Sequence, residues 1–295
     1  MNEGRGIIIK GIARRVLPIT AVILITVFSL SVSRGAEYGT EHPVSIITEE
    51  REGGMDIFLK NRTPGSFTVT VYFTKFINAE ADKPLPHTMV ISGNRTERCL
   101  TVKQVDKTSR WDTYFMYDFQ AGVLNAVHDT GAVYSLPYKT GEGYPVMQGY
   151  DGKYTHKGEY RFSIDWDMPA GTEVLAARGG LVIETEDSFE GYGLKPYYLN
   201  RNNYINIEHP DGTIGRYVHF MKGGTRVKSG QRVRAGDLIG LSGDVGYSGG
   251  PHLHFSVHRP LSGKKSESIP VKFRVSDTEA LQLVEKKVYR AWEQR

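Results

Sequence analysis

Gly246-Tyr247-Ser248-Gly249-Gly250-Pro251-His252-Leu253-His254-Phe255 decides the reading of this 295-residue chain. Glycine and proline make a turn, and the residues after it alternate polar and apolar with period two. On a strand, His252 and His254 then project from one face and Leu253 and Phe255 from the other. Two imidazoles facing one groove suit a borderline cation such as zinc, whose catalytic sites take three protein ligands and keep one position open. Taken alone, His-x-His fits structural histidines as well as it fits ligands.

Two further pieces change that balance. One is Thr155-His156-Lys157-Gly158, followed by Ile164-Asp165-Trp166; the other is Arg216-Tyr217-Val218-His219. His156 and Asp165 complete a ligand set with His254 if the chain between them folds back. In order and content the three pieces resemble the lysostaphin-like (LytM, M23) zinc metallopeptidases, with His-x-Gly…Asp, Tyr-x-His and Gly-Pro-His-Leu-His-Phe. Pro169 to Gly180 resembles that family's first barrel strands, and Val227 to Gly240 its hairpin before the last motif. The resemblance covers roughly residues 140 to 275. It departs from the simplest form of the family in one respect. Arg161, not a histidine, stands four residues before Asp165, so the likeness is to a subgroup with a longer His-to-Asp spacing.

The resemblance implies Zn2+ held by His156, Asp165 and His254, with His219 and His252 flanking the attacking water as acid–base and oxyanion-stabilising groups. Which of these two histidines does which is open. It also implies peptide-bond hydrolysis in peptidoglycan stem peptides or cross-bridges. Two other readings stand beside it: a catalytically silent relative that activates a separate wall amidase, and a peptidase acting on protein substrates. His87, His128, His209 and His258 lack a motif and read as surface or hydrogen-bonded histidines. Tyr192, Tyr197 and Tyr198 lie in a long connection, residues 186–202, and are either substrate contacts or solvent-facing loop residues.

Glycine at 33 residues and tyrosine at 17 favour β structure with tight turns. Phe67-Thr68-Val69-Thr70-Val71-Tyr72-Phe73 and similar runs predict an N-terminal β-sandwich-like module over residues 37–137. The Gly- and Tyr-rich stretch from Tyr138 to Pro145 joins it to a β-rich peptidase domain over 138–275. Ser276-Asp277-Thr278-Glu279 fits a capping box, and Leu281, Val284, Val288 and Trp292 recur at helical spacing. A C-terminal helix over 276–295 is therefore expected. The fold class expected is all-β, with that one helix.

Residues 1–36 read as a secretory signal: Lys10, Arg14 and Arg15 precede an uncharged run from Val16 to Val32, and small residues follow. Retention as an N-terminal membrane anchor is the alternative. That segment carries a net +4, the whole formal charge of the chain, so the remainder is neutral and presents no electrostatic footprint for nucleic acid. The expected location is secreted or periplasmic, in the cell envelope, with no membrane association once the signal is removed; oligomeric state is not legible. Cys99, the single cysteine, reads as a buried structural thiol.

Overall fold

The computed structural model describes residues 36–292; apart from Ala36 the expected signal lies outside them. Two compact units emerge. The first comprises residues 36–124 together with 260–265, and the second 125–259 with 266–292. Both are built of strands, and among the described residues the helical pieces are two single 3-10 turns, Gly158–Tyr160 and Pro196–Tyr198.

The first unit has two antiparallel sheets. Five strands run in the order Ala36–Tyr38, Val44–Arg51, Gly54–Asn61, Thr96–Gln104, Ala79–Ala81. Three more run His87–Ile91, Phe67–Ile77, Asp112–Ala121. Val44, Ile46, Ile57 and Leu59 from the first sheet and Phe67, Val69, Phe115 and Phe119 from the second are buried. This follows from period-two alternation, which gives each strand one apolar face to hide. Tyr117 ties the two sheets together by donating its hydroxyl proton to the Val44 carbonyl at 3.0 Å. Asn61 makes the turn after its strand: its side-chain oxygen accepts from Thr63 N–H at 2.9 Å while its amide donates to Gly65 O at 2.7 Å. Cys99 is buried, and burial pushes its thiol up to about 12.

The second unit is organised on one large sheet. From edge to edge it runs Arg232–Val233, Gly180–Glu186, Tyr204–Glu208, Ile214–Val218, Leu253–Pro260, Ser163–Trp166, Gly143–Gln148, Val288–Arg290. All of these neighbours are antiparallel, and Ser266–Ser268 adds to Leu253–Pro260. Glu173–Leu175, Leu238–Ser242 and Phe220–Thr225 form a second, three-stranded sheet. Trp166, Tyr217, Phe255, Phe273, Val182 and Ile207 are at most 1% exposed in the core. In the strand Leu253–Pro260 the side chains of Leu253, Phe255 and Val257 enter this core, so alternation turns His254, Ser256 and His258 to the other face.

The C-terminal segment is not a helix. Ala280–Leu281 pairs with Lys272–Arg274, and Val288–Arg290 pairs with Gly143–Pro145 at the edge of the large sheet. The capping-box residues serve a tight turn instead. Ser276 Oγ accepts from Glu279 N–H at 3.0 Å, and Val275 N–H donates to Glu279 O at 3.0 Å. The supposed apolar stripe is not buried as a stripe: Val284, Val288 and Trp292 are exposed, whereas Leu283 and Ala291 are buried. An open strand edge offers the segment a full ladder of backbone partners, and that pairing outweighs a weak helical periodicity.

Candidate metal centre and its neighbours

Asp165 sits in Ser163–Trp166 directly opposite His254 of Leu253–Pro260, so cross-strand register alone sets the two side chains side by side. Asp165 Oδ1 lies 2.8 Å from His254 Nδ1. His156 arrives from the loop before the 3-10 turn Gly158–Tyr160, which folds the long His-to-Asp spacing back on itself. Its Nδ1–H donates to the Gly149 carbonyl at 2.8 Å, leaving Nε2 with the lone pair. That Nε2 is 3.1 Å from Asp165 Oδ2 but off the hydrogen-bond line, and it has no hydrogen-bond partner. One donor atom from each of His156, Asp165 and His254 lies within 4.8 Å of the other two, and all three residues lie in the interior of the fold. Arg161, the alternative at the four-residue spacing, is half-exposed and paired with Asp151 at 2.7 Å.

The electrostatics follow from burial among like partners. Burial alone would raise the Asp165 carboxyl, but His156 and His254 hold it well below the usual carboxylate range. Burial acts to lower His156, and the Asp165 carboxylate overrides it, so the net shift is upward. For His254 burial wins and the shift is downward. A buried imidazole nitrogen with an uncommitted lone pair, a carboxylate held ionised and a second imidazole form the donor set that zinc takes. The residues fit the ion.

His219 and His252 lie beside this cluster. Their ring centres are 4.4 Å apart, and the His219 ring is 6.2 Å from that of His254. His219 occupies the link between Ile214–Val218 and Phe220–Thr225 with φ +74, a left-handed conformation disfavoured for a side chain of this size. Its backbone N–H donates to Asn203 O at 2.9 Å and its Nδ1–H to Val245 O at 2.8 Å. His252 precedes its strand by one residue, with Nδ1 2.9 Å from Gly250 O. A carbonyl only accepts, so in both rings the proton is on Nδ1 and the lone pair on Nε2. Burial, then the neighbouring His252, press His219 well below the ordinary histidine range.

Two contributors carry no motif. Asn203 is fully buried; its amide donates to Phe220 O, next to His219, at 3.1 Å and to Phe189 O in the long connection at 3.0 Å. Gln148 touches Asp165 itself, with Nε2 2.9 Å from Oδ2. The only available signal was a polar residue ending an otherwise apolar strand. The long connection is strapped to the glycine turn, since Gly246 N–H donates to Gly191 O at 3.0 Å and Tyr247 N–H to Asn202 Oδ1 at 3.2 Å. Tyr192 and Tyr197 in it are exposed. His209 and His258 are buried, the first donating to Gly179 O at 2.9 Å and the second 2.8 Å from Ser256 Oγ, and neither joins the cluster.

Comparison with known proteins bears on what this arrangement belongs to. The sequence model of Peptidase family M23 matches residues 159–268, beginning three residues after His156. An "Uncharacterized metalloprotease" of Buchnera aphidicola subsp. Baizongia pistaciae is 38% identical over 114 residues, covering 38% of this chain and 27% of that protein. Peptidoglycan DD-endopeptidase ShyA of Vibrio cholerae is 31% identical over 126 residues, covering 42% of this chain and 26% of that one. The crystallised catalytic domain of lysostaphin from Staphylococcus simulans is 31% identical, with 44% of this chain and 88% of that domain covered and a TM-score of 0.29. The chain spans about a quarter of the length of the curated relatives it matches. Residues 159–268 of this chain thus match peptidase family M23 and are similar to the lysostaphin-like peptidases.

Proposed function

We propose that the chain is an exported zinc metalloendopeptidase that hydrolyses peptide bonds in peptidoglycan stem peptides or cross-bridges. The observation that carries the reading is the convergence of His156, Asp165 and His254, with one donor atom from each within 4.8 Å of the others, in a chain that matches a peptidase family. The peptidoglycan substrate is supported by the names of two relatives, a peptidoglycan endopeptidase and lysostaphin. Export is supported by residues 1–36, where the net positive charge precedes and follows an apolar run.

His156 through Nε2, Asp165 through a carboxylate oxygen and His254 would hold the ion. Bound there, zinc supplies a Lewis acid and brings the pKa of a water near ~7. The rest falls to the chain. His219 and His252 each present an Nε2 lone pair, because backbone carbonyls pin the proton on Nδ1. One of them takes the proton of the attacking water and returns it to the departing amine. The other, whose Nε2 is also a lone pair, accepts a hydrogen bond from the attacking water and orients it. The fixed Nδ1 bonds hold both rings in orientation through this exchange.

The test is digestion of isolated sacculi by the purified chain, with mass analysis of the released muropeptides. Cleaved cross-links, lost on chelation and restored by zinc, are the expected result. Intact sacculi alongside cleavage of a protein substrate would overturn the wall assignment. A chain that takes up no zinc and only stimulates an added amidase would replace it with the silent-activator reading. Fractionation of the producing cells checks export: the mature chain belongs outside the cytoplasm, and a full-length cytoplasmic protein contradicts that.

A further inference from the structure

The strand Gly143–Gln148 should bury every second side chain on one face, and Val146, opposite Trp166, does lie in the core. By plain alternation Gln148 would join it there. The pairing slips between Val146 and Gln148, however, so that Gln148 comes opposite Asp165 rather than opposite Ile164. The residue inserted at the slip, Met147, is pushed out to solvent. A bulge of this kind turns the next side chain to the other face of the sheet. Here it delivers a buried amide to the polar face, beside the Asp165 carboxylate.

Every polar atom of that amide is used. Nε2 donates to Asp165 Oδ2 at 2.9 Å and to Thr155 Oγ1 at 2.9 Å. Oε1 accepts from Tyr154 N–H at 2.8 Å and Thr155 N–H at 3.2 Å. Backbone N–H groups can only donate, so the amide has one orientation, with its NH2 toward Asp165. Thr155 is the residue before His156. One side chain thus grips the carboxylate with one hand and the loop that carries the first histidine with the other. Gly152 leaves room for it, since a Cβ there would stand 2.3 Å from Gln148 Cγ.

We infer that Gln148 is a positioning residue for the metal centre, setting the distance and orientation between Asp165 and His156 before the ion arrives. The inference rests on the assignment of His156, Asp165 and His254 as zinc ligands. It also explains how the long His-to-Asp spacing works in this chain: the loop is anchored at Thr155 by the strand that neighbours Asp165, so the residues between need only make the 3-10 turn. Partners of this kind orient ligands and supply roughly 10–100-fold in metal affinity or activity.

Two full-length variants test it. Gln148→Glu keeps the acceptor for the loop N–H groups and removes the donor facing Asp165. Gly152→Ala changes no hydrogen-bonding group but drives a Cβ into the Gln148 side chain. Zinc affinity is measured by chelator competition, and the visible bands are recorded with cobalt(II) in place of zinc. Zinc binding weakened roughly 10–100-fold in each variant, with altered cobalt bands, is expected. Native affinity and unchanged cobalt bands in both would overturn the role of Gln148. If Gln148→Glu does not fold, Gly152→Ala decides alone by the same two readings. A parent protein that itself takes up no zinc would overturn the ligand assignment and this inference with it, a result distinct from a parent that binds zinc and variants that bind it equally well.

Discussion

His219 and His252 are buried, as His156 and Asp165 are, yet they differ in where their free nitrogens are committed. His156 Nε2 has the Asp165 carboxylate within 3.1 Å, while the two flanking rings are held by Val245 O and Gly250 O and face each other. Removing either flanking ring should therefore leave the ion in place and remove proton transfer. His219→Ala and His252→Ala are expected to retain zinc by metal analysis while hydrolysis falls ~10²–10⁴-fold. Loss of the metal from either variant would instead make that histidine a ligand. A second consequence concerns acid stability. Burial pushes His209 down to about 4, with Nδ1–H bound to Gly179 O and Nε2 without a partner. Above pH 6.5 the ring is neutral in the folded and unfolded chain alike and contributes no pH dependence. Below 6.5 the unfolded chain takes up a proton that the folded one refuses until about 4, so stability drains away as pH falls through that window, by up to ~3 kcal/mol. His209→Asn, whose amide can still donate to Gly179 O, should unfold in urea with a shallower loss between pH 6.5 and 4. An identical pH slope in the variant would contradict it.

At the scale of elements, the strand that carries His254 was legible because its chemistry and its alternation coincide. Leu253 and Phe255 had to enter a core, which sends the histidine to the opposite face beside Asp165. Gln148 was not legible, since its direction depends on a slip in pairing with a strand distant in sequence, and an apolar run ending in Gln-Gly does not announce a bulge. The C-terminal segment misled for a related reason. Leu281, Val284, Val288 and Trp292 happen to fall at helical intervals, while the decisive partner, the open edge at Gly143–Pro145, lies well over a hundred residues upstream. The strand reading has its own test. Ala291 N–H donates to Glu142 O at 2.8 Å, and the side chain is buried. Ala291→Pro removes that donor from a sheet edge and should cost about 1–3 kcal/mol in denaturant unfolding. A frayed or helical tail would tolerate proline there with no measurable change.

For the molecule as a whole, the sequence conveyed the all-β class, the turn-rich strands of both units and the residues that the second unit gathers into one buried cluster. What it could not convey was how that cluster is supported, because Gln148 acts through a bulge and backbone N–H groups, and Asn203 through backbone carbonyls, rather than through motifs. The central claim is that His156, despite its distance in sequence from Asp165, completes the zinc site. Metal analysis of the purified chain beside its His156→Ala variant addresses it most directly, since two remaining protein ligands make a poor zinc site. One zinc per parent chain and a metal-poor, inactive variant is the expected result. A His156→Ala protein that keeps its full zinc and hydrolyses its substrate normally would contradict the account.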